Sequence, residues 1–503
     1  MPHLVRLTLV LALSLAVAAP AAAEESGGLL RGTLGKLLGD RPLAEAQEDA
    51  PAAAQVVPES REQVQLSFAP IVRKVAKSVV NVYAARNVVE RSPFAGDPFF
   101  ERFFGPEGFG LPRQRRQQSL GSGVIVSAEG VIVTNNHVIE NMDEIKVALT
   151  DGREFECEVV LRDAKSDLAV LKVSADVRLE PIEIGDSDQV EVGDLVLAIG
   201  NPFGVGQTVT SGIVSAVSRS LRGVNDYGYF IQTDAAINRG NSGGALVDMN
   251  GRLIGINTAI FSPSGGSVGL GYAIPANMTK VILRSARTGD AVVRPWLGAD
   301  FQTVNAEIAE SIGLERPIGA IVTSVVDKGP AAAAGLAAGD VVVEVNGQSV
   351  DSADMLGYRL DTAGLDTRAE LTVISRGERR TIEVKLEPAP ETVPREEIEL
   401  PAQSPLGGLR VANLSPAVAV ELGLPGDKTG VAALSVARNS PADAGRMRPG
   451  DIIRQVNGVD ITSTRDLERI LSRRLRTWQF VVEREGRFLI IERDGPLIRQ
   501  FLR

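Results

Sequence analysis

Between Gly121 and Thr258 the chain is cut into short apolar-rich stretches by glycines and polar turns, and that spacing admits few folds. Alternation of apolar and polar residues over roughly four to eight positions is strand periodicity. Short strand-like runs, most of them alternating, recur at residues 121–126, 131–134, 145–149, 154–161, 168–173, 195–199, 212–217, 229–233, 245–247 and 253–258, with a turn signal at Ala128-Glu129-Gly130. No long helical pattern alternates with these runs. A doubly wound parallel sheet and the strand–turn–helix elbow of an α/β-hydrolase are therefore both disfavoured. What remains is an all-β sandwich or barrel, closed by a helix near 277–288.

The 503 residues exceed one domain, and the formal charge of −10 argues against nucleic acid as a partner, which needs a basic face. Arg6 precedes an apolar run over 7–19, and Ala21-Ala22-Ala23 offers a small-residue cleavage site, so 1–23 reads as an export signal. No other run is long enough to span a bilayer, so no integral membrane span is expected in the mature chain. Loss of 1–23 also removes His3 and leaves His137 as the sole histidine, while Cys157 is the only cysteine. An intrachain disulfide and a His–Cys metal site are thus both excluded, and no metal, nucleotide or flavin motif is visible, so no cofactor is expected.

Residues 24–64, rich in Ala, Gly, Glu and Pro, read as a flexible leader with at most one helical turn near 29–38. A first globular domain is expected over 65–290. It opens with Phe68, Ile71, Val72, Val75 and Val79 at helical spacing and then a strand over 79–83. An insertion at 86–118 carries Phe94, Phe99, Phe100, Phe103, Phe104 and Phe109 without strand or helix periodicity, and reads as a mobile lid or assembly loop. Downstream the chain repeats itself. Gly329-Pro330-Ala331, Gly339-Asp340-Val341-Val342 and Val345-Asn346-Gly347 return as Ser440-Pro441-Ala442, Gly450-Asp451-Ile452-Ile453 and Val456-Asn457-Gly458. Two modules are expected, 291–388 and 405–495, joined by a Pro- and Glu-rich linker at 389–404.

The chemistry centres on Gly240-Asn241-Ser242-Gly243-Gly244. Glycines there let main-chain N–H groups converge beside an exposed hydroxyl, as acyl transfer requires. A nucleophilic serine needs a base, and His137, just past a strand, is the one available. The base needs an orienting carboxylate. Asp143 and Asp151 lie in polar turns, whereas Asp167 directly precedes the apolar run Leu168-Ala169-Val170-Leu171, with Asp163 the runner-up.

Three ordered motifs, Thr134-Asn135-Asn136-His137-Val138, Ser166-Asp167-Leu168-Ala169-Val170-Leu171 and Gly240-Asn241-Ser242-Gly243-Gly244-Ala245-Leu246, resemble those of the HtrA/Deg proteases, and the two repeats resemble PDZ domains. The resemblance covers the chain from Phe68 to Asp494. It implies a mainly β fold: a chymotrypsin-like double β-barrel protease domain followed by two PDZ (α+β) domains. It selects Asp167 over Asp163, and implies an ATP-independent serine endopeptidase of the periplasm that degrades unfolded or misfolded proteins, with a possible chaperone activity. It further implies an oxyanion hole from the N–H groups of Gly240 and Ser242, a pocket for small aliphatic side chains shaped by Ile237 and residues 258–270, and a sensing role for Arg219 in an activation loop. Trp296-Leu297-Gly298-Ala299 would bind the carboxylate of C-terminal peptides; Leu409-Arg410-Val411 is the less typical counterpart in the second repeat. Homotrimers and larger cages are implied through Phe68 and the phenylalanine-rich insertion. Two other readings fit less well with an intact triad: a chaperone or scaffold with a vestigial site, and a PDZ-based peptide-binding adaptor.

Overall fold

A computed structural model describes residues 67–90, 113–201, 206–219, 229–238, 240–260, 269–288, 292–473, 475–494 and 497–502. The stretches expected to be export signal and leader, and all six phenylalanines of the expected insertion, lie outside these residues.

Helix α1 (Ala69–Val75) leads into the first barrel. It is shorter than its apolar spacing predicts, because a single 3-10 turn intervenes and Val79 already begins a strand. Strands β1 (Val79–Glu90), β2 (Arg113–Ile125), β3 (Val131–Asn135), β4 (Glu144–Ala148), β5 (Glu154–Asp163) and β6 (Leu168–Val173) close a barrel in the order β1-β2-β3-β6-β5-β4. Strands β7 (Leu195–Gly200), β8 (Thr208–Arg219), β9 (Phe230–Thr233), β10 (Ala245–Val247), β11 (Leu253–Ile260) and β12 (Gly271–Pro275) close a second, in the order β10-β11-β12-β9-β8-β7. Closure removes the free edges that an open antiparallel sheet would expose. β6 shows why its run lacks alternation: five of its six residues, all but Lys172, are buried, so both faces meet core.

Two differences from the sequence reading matter. First, β1 and β2 extend well beyond the expected strand at 79–83, pairing out to Glu90 opposite Arg113, so the expected insertion narrows to 91–112. The polar run after Arg113 carries no apolar alternation, and main-chain pairing to β1 holds it in the ladder instead. Second, the chain just past β3, where His137 was expected and lies, forms an element that the sequence reading did not assign. It is a one-turn helix, α2 (Asn136–Ile139), which buries Val138 and Ile139 and leaves His137 exposed.

Helix α3 (Ala276–Thr288) closes the double barrel, and two larger sheets and one two-stranded sheet follow. In the first sheet, β14 (Ala299–Thr303), β15 (Ala320–Val325), β16 (Val341–Val345), β18 (Arg368–Ser375) and β19 (Glu378–Lys385) run in that order, with β17 (Gln348–Ser349) paired to β16. β13 (Pro295–Trp296) pairs separately with β20 (Glu387–Pro388), and helix α4 (Ala353–Ala363) packs on the sheet. In the second sheet, β21 (Ile398–Glu399), β22 (Leu409–Asn413), β23 (Val431–Val436), β24 (Ile452–Val456), β26 (Thr477–Arg484), β27 (Arg487–Asp494) and β28 (Leu497–Leu502) run in order, with β25 (Val459–Asp460) on β24. Helix α5 (Thr464–Leu471) packs against β22. β21 draws part of the expected linker into the second sheet, and β28 extends that sheet past residue 495.

The first repeat is fastened to the double barrel by buried polar and aromatic contacts. Tyr358 of α4 stacks on Tyr229 with centroids 3.9 Å apart, and its hydroxyl donates to Asp188 at 3.0 Å. Arg359 reaches the same Asp188 carboxylate at 2.8 Å. Arg294 bridges Asp163 at 2.6 Å and Asp361 at 3.2 Å. Asp163, the runner-up carboxylate, is thus committed to this junction, and to the Ser166 N–H at 3.1 Å.

Candidate active site

The site forms where the two barrels meet. Asp167 immediately precedes β6 and takes φ +56, a left-handed conformation that an aspartate tolerates better than most side chains. Bent this way, its carbonyl accepts from Asn136 N–H and from Asn135 Nδ2, both at 3.0 Å. Its carboxylate turns back on the following residue: Oδ1 accepts the His137 N–H at 2.9 Å, and Oδ2 lies 2.7 Å from His137 Nδ1. Thr258 Oγ1 adds a third donor, to Oδ2, at 2.8 Å. A buried carboxylate is costly unless hydrogen-bonded, and Asp167 is 6% exposed with three donors. A ring proton placed on Nδ1 is the one Asp167 Oδ2 is positioned to accept, and that tautomer leaves Nε2 as an acceptor.

Ser242 lies in the loop before β10. Its Oγ donates to the carbonyl of Thr258 at 3.0 Å. Thr258 therefore touches both Ser242 and Asp167, through its main chain and its side chain respectively. Sequence reasoning placed Thr258 only at the edge of a pocket wall; a threonine within a strand gives no signal of this double contact.

A second residue missed by sequence reasoning is Ser122. Its N–H donates to Ser242 O at 2.8 Å, its hydroxyl to Gly240 O at 2.6 Å, and that same hydroxyl accepts Asn201 N–H at 2.9 Å. Thr134 Oγ1 in turn donates to Ser122 O at 2.7 Å. Ser122 on the first barrel thus staples the Gly240–Gly244 loop of the second. The close approach requires glycine: a Cβ on Gly243, where φ is +82, would lie 2.1 Å from Ser122 O and 2.4 Å from Thr134 Oγ1. Gly240 also has positive φ, at +101. Among the described residues neither the N–H of Gly240 nor that of Ser242 enters a hydrogen bond.

The remaining expected residues are placed as follows. Ile237 is 1% exposed and packs within the second barrel, against Gly271. Residues 261–268 of the expected second pocket wall lie outside the described residues. Arg219 ends β8 opposite Phe230, and the segment 220–228 that follows it lies outside them too. Trp296 pairs through β13 with Glu387; Leu297 is buried in the core of the first repeat. Gly298 takes φ +70, and Ala299 begins β14, so these residues form a bend running into an edge strand.

Residues 121–256 match a trypsin-like peptidase domain, and residues 295–386 and 433–477 each match a PDZ domain. The periplasmic serine endoprotease DegP of Salmonella typhimurium is 37% identical over 428 residues, which span 80% of this chain and 87% of that protein. DegP of Escherichia coli is 35% identical over 462 residues, spanning 87% and 92%. A probable periplasmic serine protease (do/HhoA-like) of Haemophilus influenzae is 40% identical over 421 residues, spanning 81% and 87%. Among solved structures, an HtrA-type protease AlgW with a decapeptide is 45% identical, covers 65% of this chain and 99% of its own, and superposes with a TM-score of 0.49.

Proposed function

The chain belongs to the DegP/HtrA family of periplasmic serine endoproteases, and from that premise we propose that Ser242, His137 and Asp167 are its nucleophile, base and orienting acid. It is a serine endopeptidase of the periplasm that acts on protein substrates. The observation that carries the residue assignment is the shared Thr258 contact, which links the Ser242 hydroxyl to the Asp167–His137 pair.

In the proposed reaction Ser242 Oγ attacks the peptide carbonyl while His137 Nε2 takes its proton and then passes it to the leaving amine. Asp167 holds the ring tautomer and stabilises the imidazolium. The oxyanion is received by the N–H groups of Gly240 and Ser242, a role supported by their lack of any other partner among the described residues. Each such donor contributes about 3 kcal/mol to lowering the barrier.

The Ser242 hydroxyl is bonded to Thr258 O rather than to the imidazole, so attack requires the side chain to turn. Exchanging one neutral hydrogen bond for another costs about 1 kcal/mol at most. The nucleophile loop is accordingly read as resting and switchable, with Arg219 in the activation segment that senses the first PDZ domain. Tyr229, which adjoins that segment, stacks on Tyr358 of the first PDZ domain, and this contact supports a link between peptide capture at residues 296–299 and the site. The substrates are proposed to be unfolded or misfolded chains, cleaved without ATP after small aliphatic residues selected by a pocket that includes Ile237. Phe68, 38% exposed, is proposed to join a homotrimer interface from which larger cages form, as light scattering would reveal.

Replacing Ser242 by Ala tests the assignment. Cleavage of denatured casein is expected to be abolished in a variant with unchanged circular dichroism; retained cleavage by the purified variant contradicts it. The same variant should still suppress aggregation of unfolded substrate if the chaperone activity is present.

A further inference from the structure

The two PDZ sheets differ at one edge. In each, a loop containing a glycine with positive φ leads into a strand that lies near a helix: Gly298 into β14 near α4, and Gly408 into β22 near α5. Among the described residues, β14 is the outermost strand of its sheet. β22 is not, because β21 lies along its outer edge.

β21 comes from the stretch that joins the two domains. It runs antiparallel to β22, with Ile398 opposite Val411 and Glu399 opposite Arg410. At its end, Leu400 N–H donates to Leu409 O at 2.9 Å, and Gly408 N–H donates to Leu400 O at 3.1 Å. Leu400 is 2% exposed and shares a core cluster with Leu409 and Val411 of β22 and with Leu467 and Ile470 of α5. Ile398 packs against the same cluster. Ion pairs fix the start of the segment, Glu397 with Arg410 and Glu396 with Arg465, and Asn413 N–H holds Arg395 O at 2.9 Å.

An extended segment antiparallel to an edge strand, its last side chain buried between strand and helix and its last carbonyl on a glycine-loop amide, has the geometry of a bound C-terminal peptide. Here the chain continues past Leu400, so one carbonyl stands where a terminal carboxylate would sit. We propose that the second PDZ domain is a peptide-binding site already filled by residues 396–400 of its own chain, and that its ligands in trans are acidic C-terminal peptides ending in aliphatic–Glu–Leu. Tethering keeps the internal segment at high effective concentration, so the groove opens only when that segment leaves. In the first PDZ domain no described strand covers the corresponding edge, so no such block is assigned to it.

The test uses the full chain with Ser242→Ala, which removes cleavage, and a fluorescein-labelled peptide Arg-Glu-Glu-Ile-Glu-Leu with a free C-terminus. Equilibrium dialysis counts peptides bound per chain. The release variant Ile398→Ser/Leu400→Ser should bind one more peptide than the unaltered chain, and the C-terminally amidated peptide should lose that increment. A locked variant, Glu399→Cys/Arg410→Cys with Cys157→Ser, should match the unaltered chain when oxidised. A folded release variant with no increment, or an unaltered chain that binds as many peptides as the release variant, overturns the proposal. Should the release variant fail to fold, Glu396→Gln/Glu397→Gln loosens the segment without touching its apolar anchors. It should bind the peptide at least threefold more tightly than the unaltered chain, and unchanged binding overturns the proposal. All chains share the same first PDZ domain and inactivated Ser242, so the increment is independent of the protease assignment.

Discussion

Thr258 accepts the Ser242 hydroxyl on its main-chain carbonyl at 3.0 Å while its own hydroxyl donates to Asp167 at 2.8 Å. One residue of β11 thereby sets both the direction of the Ser242 hydroxyl, the proposed nucleophile, and the position of Asp167, the proposed orienting acid. Thr258→Val keeps the shape and the carbonyl but removes the donor to a buried carboxylate. A hydrogen bond to a charged group contributes roughly 1.5–3 kcal/mol, so kcat should fall about 10- to 100-fold. KM should stay nearly constant, and Thr258→Ser should recover most of the loss. Steady-state kinetics on an unfolded substrate distinguish these outcomes, and an equal rise in KM would point to a pocket role instead.

The two neighbouring carboxylates make opposite predictions. Asp167→Asn should leave the fold intact and lower kcat by about 10⁴-fold, the scale expected when a triad acid no longer fixes the ring tautomer. Asp163→Asn should leave turnover of a short peptide unchanged. It should instead lower the melting temperature, because Arg294, half-buried at the junction with the first PDZ domain, loses its 2.6 Å charged partner. Peptide turnover and calorimetry on the two variants separate the roles.

These contrasts show what a sequence can and cannot convey about such a site. Among the proposed residues, Ser242 and His137 stood out because chemistry restricts their types and because one histidine remains once the expected export signal is set aside, whereas Asp167 was separated from Asp163 by the family resemblance. The barrels were legible from short alternating runs between glycines. Thr258 and Ser122 were not, since each acts partly through its main chain and across a barrel boundary where no local pattern records the contact. The one-turn helix bearing His137 was hidden for a related reason. It is too short for helical periodicity, and the Asp167 carboxylate, thirty residues away, accepts its His137 N–H. β21 was read as linker because prolines and glutamates dominate its surroundings, yet Ile398 and Leu400 alternate as a strand pairing with a specific edge requires.

A pH dependence follows from Glu483 in the second PDZ domain, which is 6% exposed. Burial pushes its carboxyl upward, but hydrogen bonds from Lys428 and Arg454 outweigh this and hold it below the usual glutamate value. Their distances are 2.9 and 2.6 Å. A group depressed by folding contributes stability that is fully present above its unfolded pKa, about 4.3, and is lost as pH falls through the folded value. Glu483→Gln should therefore destabilise the domain by about 3 kcal/mol at neutral pH, the scale of breaking a buried ion pair. That difference should shrink below about pH 4. Urea unfolding of both chains across pH 3–7 reads it directly (roughly the interval over which the glutamate protonates), and a difference that grows on acidification would reverse the sign argued here.

The most direct test of the central claim is covalent labelling by a fluorophosphonate probe, with the modified residue located by mass spectrometry. A single adduct on Ser242 is predicted, formed rapidly in the unaltered chain and slowed by several orders of magnitude in His137→Ala. An adduct on another residue, or equal labelling of Ser242 without His137, would contradict the assignment of Ser242 as a nucleophile activated by that histidine.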